Sequence, residues 1–536
     1  MRRPILTLVL LSGLTFFLGL GRQAITDADE GFYAEAAREM VETRDWLTPH
    51  FNYDDRWQKP VLYYWLTAAT YAIAAPTEGA ARFWSAMAGL GLVLLTFAAA
   101  RRLTGQEDAA WLAGAIVATC FGYLAMARAA LPDLPLAFCV TAGIWAALRN
   151  RWALAGLAAG LGFLMKGPVA LVVPALVLLP IWWRERRTTH LRPRDLGLAA
   201  LVFAAVGLPW YVAMTMEHGR PYLQSFFISD NFERFATDRF NDPRPIWFYL
   251  PIVIGGLLPW SGYLLVLPWR GVADVLKHRR RLTDTEWRLI LWVAVPLVFF
   301  TLSIGKQPRY ILPVLPPMAI LIGRSIADRI RSAAPRDLAV ATWSTAALYV
   351  VLAALLWRAR PLFLTVAPAM TSAAAAAIVA SGLALAFVAA TRRWRALPMT
   401  MAASAVVLLL SVQFGALAGI RPEPVERMAA LVLANRPFGD PVGSYRVFVR
   451  NLVFYARFRQ VELFDEARAV EFLKSPYRVL LVVGAADLPR LESLTGVKTT
   501  TIGSVDYLDT ASIRLGTLLW PNPAEDVERV LLVTNR

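Results

Sequence analysis

The sequence predicts a polytopic α-helical membrane protein with a small α/β domain at its C-terminal end. Hydrophobic residues make up 57% of the 536 residues, charged residues only 18%, and the mean hydropathy is +0.48. These values are typical of a chain that crosses a membrane many times rather than of a soluble domain. Apolar runs long enough to cross a bilayer recur along most of the chain, and near its end they shorten to the length of strands.

The basic residues predict the topology. The net charge of +16 lies in short loops between apolar runs, so we attribute it to the positive-inside rule and not to nucleic-acid binding. One run, 60–75, is ambiguous, because as a span it would place the basic loops at 101–102 and 182–194 outside. If it lies in the interface or re-enters, those loops fall inside, and we adopt this assignment. It gives about thirteen spans, a cytoplasmic N-terminus and an outer C-terminus. The predicted spans lie near 4–20, 80–100, 109–127, 134–148, 152–165, 168–183, 196–216, 246–268, 289–304, 309–325, 338–357, 367–390 and 397–420.

The chain divides into two predicted domains. Residues 1–420 form a transmembrane domain with an outer loop at 21–79, and residues 421–536 form an outer α/β domain. No Gly-x-Gly-x-x-Gly motif or P-loop occurs in the second domain, so we expect it to be a lid or docking domain that binds no nucleotide. Its predicted strands are Val447–Val449, Val461–Phe464, Arg478–Val483, Thr499–Gly503, Ile513–Leu519 and Val530–Thr534, with helices near 423–436, 465–474 and 486–494.

The stretch from Asp27 to Leu66 is the longest polar interruption in the N-terminal half. It carries nine acids, Lys59 and several aromatic residues. Most of these acids are expected on the solvated side of a helix from Asp29 to Thr43. Acids held beside a lysine at a membrane surface suit a reaction with a general base and an anionic leaving group. We therefore single out Asp29 with Lys59.

Other polar segments, at 127–133, 217–245 and 305–310, fall on the same outer face in this topology. Together they supply what transfer from a phosphate-linked donor requires, since a base takes the acceptor proton and cations stabilise the departing phosphate. No nucleotide-sugar motif appears on the cytoplasmic side, which favours a carrier lipid as the donor. The candidate acids are Asp29 and Asp133, and the candidate cations are Lys59, Arg128, Lys166, Lys306 and Arg309.

Two of these assignments have a second interpretation. Lys166 lies before a Gly-Pro break in an apolar run, where it is either a site residue or a lysine that reaches the membrane interface. Tyr63 and the aromatic residues around it would suit a lipid-borne substrate, but they also fit an interfacial aromatic belt. The two cysteines, Cys120 and Cys139, lie inside apolar runs and predict no disulfide framework.

Six sequence fragments in this order resemble one family. They are DADEGFYAEAAREM, QKPVLYYWL, ARAALPDLPLAF, GFLMKGPVALVVP, DNFERF and SIGKQPRYILPVLPP. Together they are similar to the lipid-carrier-dependent glycosyltransferases of the C superfamily, which include bacterial aminoarabinose transferases for lipid A and protein O-mannosyltransferases. The resemblance covers roughly residues 1–325, and the last domain matches only by its placement and by the GSYR…FYAR stretch.

The resemblance implies a site for inverting transfer from an undecaprenyl-phosphate sugar on the periplasmic side of a bacterial inner membrane. It also implies about thirteen spans and a periplasmic C-terminal domain. The expected catalytic acids are Asp29 and Asp133. The expected ligands of the carrier phosphate are Lys59, Arg234, Tyr310, Lys306 and Arg128. The expected substrate-binding residues are Glu30, Tyr33, Tyr63 and Lys166.

Two departures from the family concern a metal ion. The aminoarabinose transferases have Glu directly before the lysine and His in the fifth fragment, where this chain has Gln58 and Asp230-Asn231. A neutral amide is a poor substitute for either ligand. A divalent metal therefore stays unassigned, and Gln58 and Asn231 argue against one.

Several functions remain in competition. Within the glycosyltransferase hypothesis, a glycolipid acceptor such as lipid A is ahead of transfer to protein Ser or Thr. A lipid or solute transporter is the second hypothesis, although no inverted repeat is visible and the ionisable residues gather at one face. A structural assembly subunit is the third. The expected partners are the polyprenyl-phosphate sugar, its lipid or protein acceptor and membrane lipids, without nucleic acid.

Overall fold

The computed structural model describes residues 3–186, 192–237, 244–268, 277, 281–332, 336–436, 439–510 and 512–536. Within them the chain is mostly helical. Six helices are long and apolar enough to cross a membrane, or up to nine spans if each bent helix pair counts as one. The protein is therefore a multi-pass membrane protein. The six are Glu78–Thr104, Asp284–Leu302, Pro308–Arg331, Arg336–Arg358, Pro368–Ala390 and Leu397–Leu417.

Three helix pairs are bent by 46° to 108° at short breaks. Proline lies at two of these breaks, Pro209 and Pro259, where it removes a backbone donor and ends the preceding turn. The pairs are Glu107–Thr119 with Phe121–Ala127, Pro193–Gly207 with Pro209–Glu233, and Tyr249–Gly256 with Trp260–Val266. Shorter apolar helices are Pro4–Phe17, Asp133–Leu148, Trp152–Lys166 and Val169–Glu185.

The polar stretch near the N-terminus folds against these helices. It contains the helix Asp29–Thr43, a short antiparallel hairpin of β1 (His50–Phe51) and β2 (Asp54–Asp55), and the helix Leu62–Ala74. The last of these has 13 residues and is about 20 Å long at 1.5 Å per residue. That is shorter than the hydrocarbon core of about 30 Å, so the helix alone does not reach across it.

A five-stranded sheet lies near the C-terminus. Its strands run in the order β4-β3-β5-β7-β6, with β4, β3 and β5 parallel and β7 antiparallel to both of its neighbours. The strands are β3 (Val442–Tyr445), β4 (Val461–Leu463), β5 (Leu480–Gly484), β6 (Thr500–Tyr507) and β7 (Glu528–Thr534). The helices of this region are Pro424–Asn435, Leu452–Ala456, Glu466–Leu473, Leu488–Thr495, Leu515–Leu519 and Pro523–Asp526.

Two of the six strand predictions are wrong. Residues 447–449 form turns, because Arg446 and Phe448 both have positive φ angles, of 60° and 55°, which no strand accepts. The strand lies five residues earlier, at β3, where a Cβ on Gly443 would lie 2.8 Å from the Leu463 side chain. The second error is Ile513–Leu519, where the helix Leu515–Leu519 forms against the end of Arg336–Arg358.

Candidate functional site

One cavity of about 590 Å³ gathers most of the polar residues singled out in the sequence. It lies where the start of Asp29–Thr43, the start of Asp133–Leu148 and the end of Trp152–Lys166 meet the turn Pro308–Val314. Its polar lining consists of Asp29, Tyr33, Arg56, Gln58, Lys59, Asp133, Lys166, Asp230, Asn231, Ser303, Arg309 and Tyr310. Its apolar lining is Phe32, Leu136, Val140, Pro168, Val169, Val172, Val173, Phe226, Phe227, Phe232, Phe235, Phe299, Phe300 and Pro313, with the backbone of Gly305.

Asp29, Arg309, Asp133 and Lys166 form a chain of ion pairs in the cavity lining. Arg309 contacts Asp29 directly and brings its Nε within 3.5 Å of Asp133 Oδ1, and Lys166 pairs with the same Asp133 oxygen. The Lys166 ammonium also lies 4.8 Å from the ring centroid of Tyr310. Two acids and two cations, separated by up to 280 positions in sequence, thus share one network.

The helix ends explain how Asp133 and Lys166 come together. Asp133 is the first residue of its helix and Lys166 the last of its own. The backbone then reverses at Gly167, whose φ is 79°, a value that favours glycine. A Cβ there would lie 2.8 Å from the Phe226 ring. The Gly-Pro break therefore positions Lys166 in the cavity.

A second cationic group lies beside this network. Lys59 Nζ is 3.6 Å from Asp230 Oδ1. Arg56 donates through Nε to the Tyr64 hydroxyl at 3.3 Å, and its guanidinium lies 3.8 Å from the centroid of the Phe32 ring. Lys59 and Arg56 thus add two further cations to the lining of the same cavity.

Asp29 is ionised at neutral pH. Burial alone would raise the pKa of its carboxyl group, but the Arg309 guanidinium, with weaker help from Lys59 and Arg450, holds this pKa at about 2. The side chain is 39% exposed, whereas Asp133 is only 4% exposed. Asp29 is therefore the more accessible of the two carboxylates to a molecule in the cavity.

Tyr33 lies about one turn after Asp29 on the helix Asp29–Thr43 and also lines the cavity. Its ring stacks on Tyr64 at 5.3 Å and meets Tyr63 edge-on at 5.5 Å. Burial, and next the nearby Tyr64 and Asp29, raise the pKa of Tyr33 well above its ordinary value. Its hydroxyl therefore stays protonated and is available as a donor.

Four predicted site residues lie outside the cavity lining. Glu30 is buried in an ion pair with Arg82, with 2.7 Å between Arg82 Nε and Glu30 Oε1. Tyr63 is buried, and its hydroxyl contacts Ser85 Oγ at 2.9 Å.

The other two cations donate to backbone carbonyls. Arg128 donates to Leu18 and Gly19 at 2.9 Å each and so caps the end of the first helical segment. Lys306 donates to the carbonyl of Ser303 at 2.6 Å. A carbonyl-capping cation cannot be told from a ligand-binding one by residue type alone. The side chain of Arg234 lies outside the described residues.

The family and structural comparisons agree with each other. The family model for dolichyl-phosphate-mannose-protein mannosyltransferase matches residues 24–218. The undecaprenyl phosphate-alpha-4-amino-4-deoxy-L-arabinose arabinosyl transferase of Pseudomonas aeruginosa (strain LESB58) is 36% identical, over 62% of this chain and 61% of its own. The Pseudomonas fluorescens (strain Pf0-1) arabinosyl transferase 2 is 34% identical, over 59% and 58%.

Among solved structures, ArnT from Cupriavidus metallidurans bound to undecaprenyl phosphate superposes with a TM-score of 0.73 at 21% identity, covering 99% of this chain and 98% of that one. The chain is therefore similar in sequence to these arabinosyl transferases and shares the fold of the ArnT structure. The archaeal oligosaccharyltransferase AglB of Archaeoglobus fulgidus has a TM-score of 0.54 at 12% identity, over 90% of this chain and 69% of its own. The aligned part spans about three fifths of the length of the curated relatives.

The residues near Lys59 do not fit the divalent metal that the family resemblance implies. Asp230 is the carboxylate that pairs with the Lys59 ammonium, so its charge is already compensated. Gln58 and Asn231 are neutral amides, and Asn231 Nδ2 donates to the Phe226 carbonyl at 2.8 Å. In the described part of the chain, no group of three or more His, Cys, Asp or Glu side chains could hold a metal ion. A divalent cation prefers several anionic oxygen ligands.

Arg56 and the phenylalanine residues of the cavity lining are absent from the site predicted from the sequence. Arg56 lies three residues before Lys59 in the same polar stretch, so its charge and position could have identified it as a candidate site residue. Phe226 and Phe227 lie in the segment 217–245 but are themselves apolar and carry no mark of function, and only the fold brings them into the same cavity as the cations.

Proposed function

We propose that the protein is an inverting glycosyltransferase that moves a sugar from an undecaprenyl-phosphate carrier to a periplasmic glycolipid such as lipid A. The observation that carries this proposal is the cavity, in which an accessible carboxylate, Asp29, and several cations share the lining with a largely apolar wall. Such a lining suits one molecule with three parts: a sugar beside the carboxylate, a phosphate among the cations and an isoprenoid chain along the wall.

The chemistry is a single displacement. An acceptor hydroxyl attacks the anomeric carbon, its proton passes to Asp29, the bond from that carbon to the phosphate oxygen breaks, and the phosphate keeps the electron pair. Asp29 suits the base because it is ionised and 39% exposed. Asp133 is almost fully buried between Lys166 and Arg309, so its role is to position these two cations.

The departing phosphate gains a negative charge that the cavity can stabilise. Arg309, Lys59, Lys166 and Arg56 supply fixed positive groups, and such preorganised charge lowers the barrier to a charged leaving group. When Arg309 turns from Asp29 to the phosphate, Asp29 loses the partner that depresses its pKa and becomes a stronger base. Donor binding then activates the base. Tyr310 lies beside Lys166 and can donate to a phosphate oxygen.

The acceptor is either a glycolipid or a protein. The arabinosyl transferase relatives support a glycolipid, whereas the mannosyltransferase family that matches residues 24–218 acts on protein. Mass spectrometry of lipid A and of periplasmic proteins from a deletion strain separates the two. Loss of a sugar from lipid A alone supports the glycolipid acceptor, and loss from protein alone supports Ser or Thr transfer.

The proposal includes a membrane arrangement. We infer about thirteen spans within residues 1–420 when the short and bent helices are counted with the long ones. The N-terminus is cytoplasmic, and residues 421–536 form a periplasmic domain at the bacterial inner membrane. Cysteine labelling of intact cells tests this arrangement: residues 59 and 133 must react from the same side. Opposite sides would exclude a shared site.

The catalytic proposal is tested with purified protein in detergent and a panel of labelled undecaprenyl-phosphate sugars. Asp29→Asn keeps the shape of the side chain and should lower kcat about 10²- to 10⁴-fold, the usual worth of a general base. Asp108→Asn is the matched control, because Asp108 pairs with Arg331 away from the cavity. Movement of lipid or solute across liposomes without sugar transfer would favour a transporter. Unaltered complementation by Asp29→Asn would favour a structural subunit.

A further inference from the structure

The helix that carries Asp29 has no cap of its own. Asp29 is the first residue of Asp29–Thr43, and the residue before it, Ala28, has no side chain that can bond the amides of the first turn. Uncapped first turns fray, because their amide groups lack partners within the helix. A base at such a position needs support from elsewhere in the molecule.

That support comes from residues 448–451, which lie more than 400 positions away. The Asp27 carboxylate accepts from the backbone amides of Arg450 at 2.7 Å and Val449 at 3.1 Å. Asn451 Nδ2 donates to the Ile25 carbonyl at 2.9 Å. These three hydrogen bonds connect the segment that precedes Asp29 to the C-terminal part of the protein.

The same segment packs against the first turn itself. A Cβ on Gly31 would lie 2.4 Å from the carbonyl oxygen of Arg450, so the two backbones touch and only glycine fits. The Arg450 guanidinium lies 5.1 Å from the centroid of the Phe32 ring, and the Arg56 guanidinium lies 3.8 Å from the same centroid. Phe32 and Arg56 both line the cavity.

We propose that residues 448–451 are part of the site and position Asp29 and Phe32, with Asp27 and Arg450 as the positioning residues. The proposal rests on the transferase activity proposed above. In this proposal the C-terminal region sets the angle at which Asp29 enters the cavity. The region therefore positions site residues and is more than a lid. A shift of about 1 Å in a reacting group can cost on the order of a hundredfold in rate.

Three variants separate the contacts. Asp27→Ala removes both bonds to the backbone, and Asp27→Asn is the conservative variant, since its amide oxygen can still accept one of them. Arg450→Gln leaves the backbone bonds in place and removes the charge over Phe32. Asp54→Asn is the control, because Asp54 also reaches the C-terminal region, through Arg459 at 2.6 Å, but is exposed and does not line the cavity.

Two readouts are measured on the full-length protein. The first is kcat and KM for the labelled donor: we expect Asp27→Ala to lower kcat about tenfold or more with little change in KM. Asp27→Asn and Arg450→Gln should fall between Asp27→Ala and wild type, and Asp54→Asn should match wild type. The second is hydrogen–deuterium exchange of residues 27–34, which should be faster in Asp27→Ala and unchanged in Asp54→Asn.

Each outcome has a defined meaning. Wild-type exchange and kcat values within twofold in both Asp27→Ala and Arg450→Gln would overturn the inference while leaving the transferase intact. Faster exchange in a protein whose wild type transfers no sugar would refute the transferase and support the structural contact. If Asp27→Ala fails to fold, Asp27→Asn and Arg450→Gln carry the test, and a KM increase equal to the kcat loss would count against positioning.

Discussion

Replacing Arg309 with Met should move the acid limb of the pH–rate profile. Asp29 has an ordinary pKa of 3.8 and a pKa of about 2 beside Arg309. This difference corresponds to about 2.4 kcal/mol at 1.36 kcal/mol per pH unit for a fully buried pair. Because the Asp29 side chain is 39% exposed, solvent screening reduces the contribution to about 1 kcal/mol.

The direction follows from the depressed pKa. A lowered folded-state pKa stabilises the protein above the ordinary carboxyl pKa, and this stabilisation is lost as the pH falls from 3.8 towards about 2. In Arg309→Met this contribution is absent, and burial raises the pKa of Asp29 above its ordinary value. The wild-type kcat/KM, which reports the free enzyme, should therefore stay level down to about pH 4, whereas that of the variant should fall with a midpoint above about pH 4.

The assay is kcat/KM for the labelled donor at a series of pH values with buffers of constant ionic strength. Arg56→Met is the matched control, since it removes another guanidinium from the cavity lining but not the one in contact with Asp29. It should weaken donor binding and move the acid limb less. Identical acid limbs in wild type and Arg309→Met would refute Asp29 as the titrating base.

Three further predictions concern stability and binding. Arg82→Met should destabilise the protein by about 3–5 kcal/mol, because it leaves the buried Glu30 without its partner; a lowered denaturation midpoint checks this, and an unchanged midpoint contradicts it. Lys59→Met should raise KM for the donor about tenfold with a smaller effect on thermal unfolding, since it removes one charge-assisted contact to phosphate; an equal KM would exclude Lys59 from the phosphate site. Burial, and next the carboxylate of Glu35 on the same helix, raise the pKa of Glu39 to about 8. Because this folded-state pKa lies above the ordinary value of 4.5, the folded protein loses stability as the pH rises from 4.5 through about 8. Glu39→Gln should therefore raise the unfolding temperature more at pH 8.5 than at pH 5.5, and an equal rise at both would contradict the assignment.

The candidate site shows how far residue types and order can lead. Asp29, Asp133, Lys59 and Lys166 could be selected from sequence because acids and cations are rare in an apolar chain and are costly unless they have a function or a partner. Which acid pairs with which cation could not be predicted in this way. Asp29 was matched with Lys59, its neighbour in the same stretch, but in the structure Arg309 is its direct partner and Lys59 faces Asp230.

The same limit explains the residues that lie elsewhere. Arg128 and Lys306 carry the right charge in the right segments, yet both donate to carbonyls at the ends of nearby helical turns. Such carbonyls exist only once a helix has ended, and the choice between capping a helix and binding a ligand depends on a few ångströms of backbone placement.

By itself, the sequence determined that the chain crosses a membrane many times and which few ionisable residues interrupt its apolar runs. Both follow from composition and order, because hydrocarbon excludes unpaired charge and unpaired backbone groups. Only the tertiary structure decided which acid meets which cation, and that residues 448–451 support the first turn of the helix bearing Asp29. Those contacts join segments hundreds of residues apart, and nothing in a local pattern encodes the distance between them.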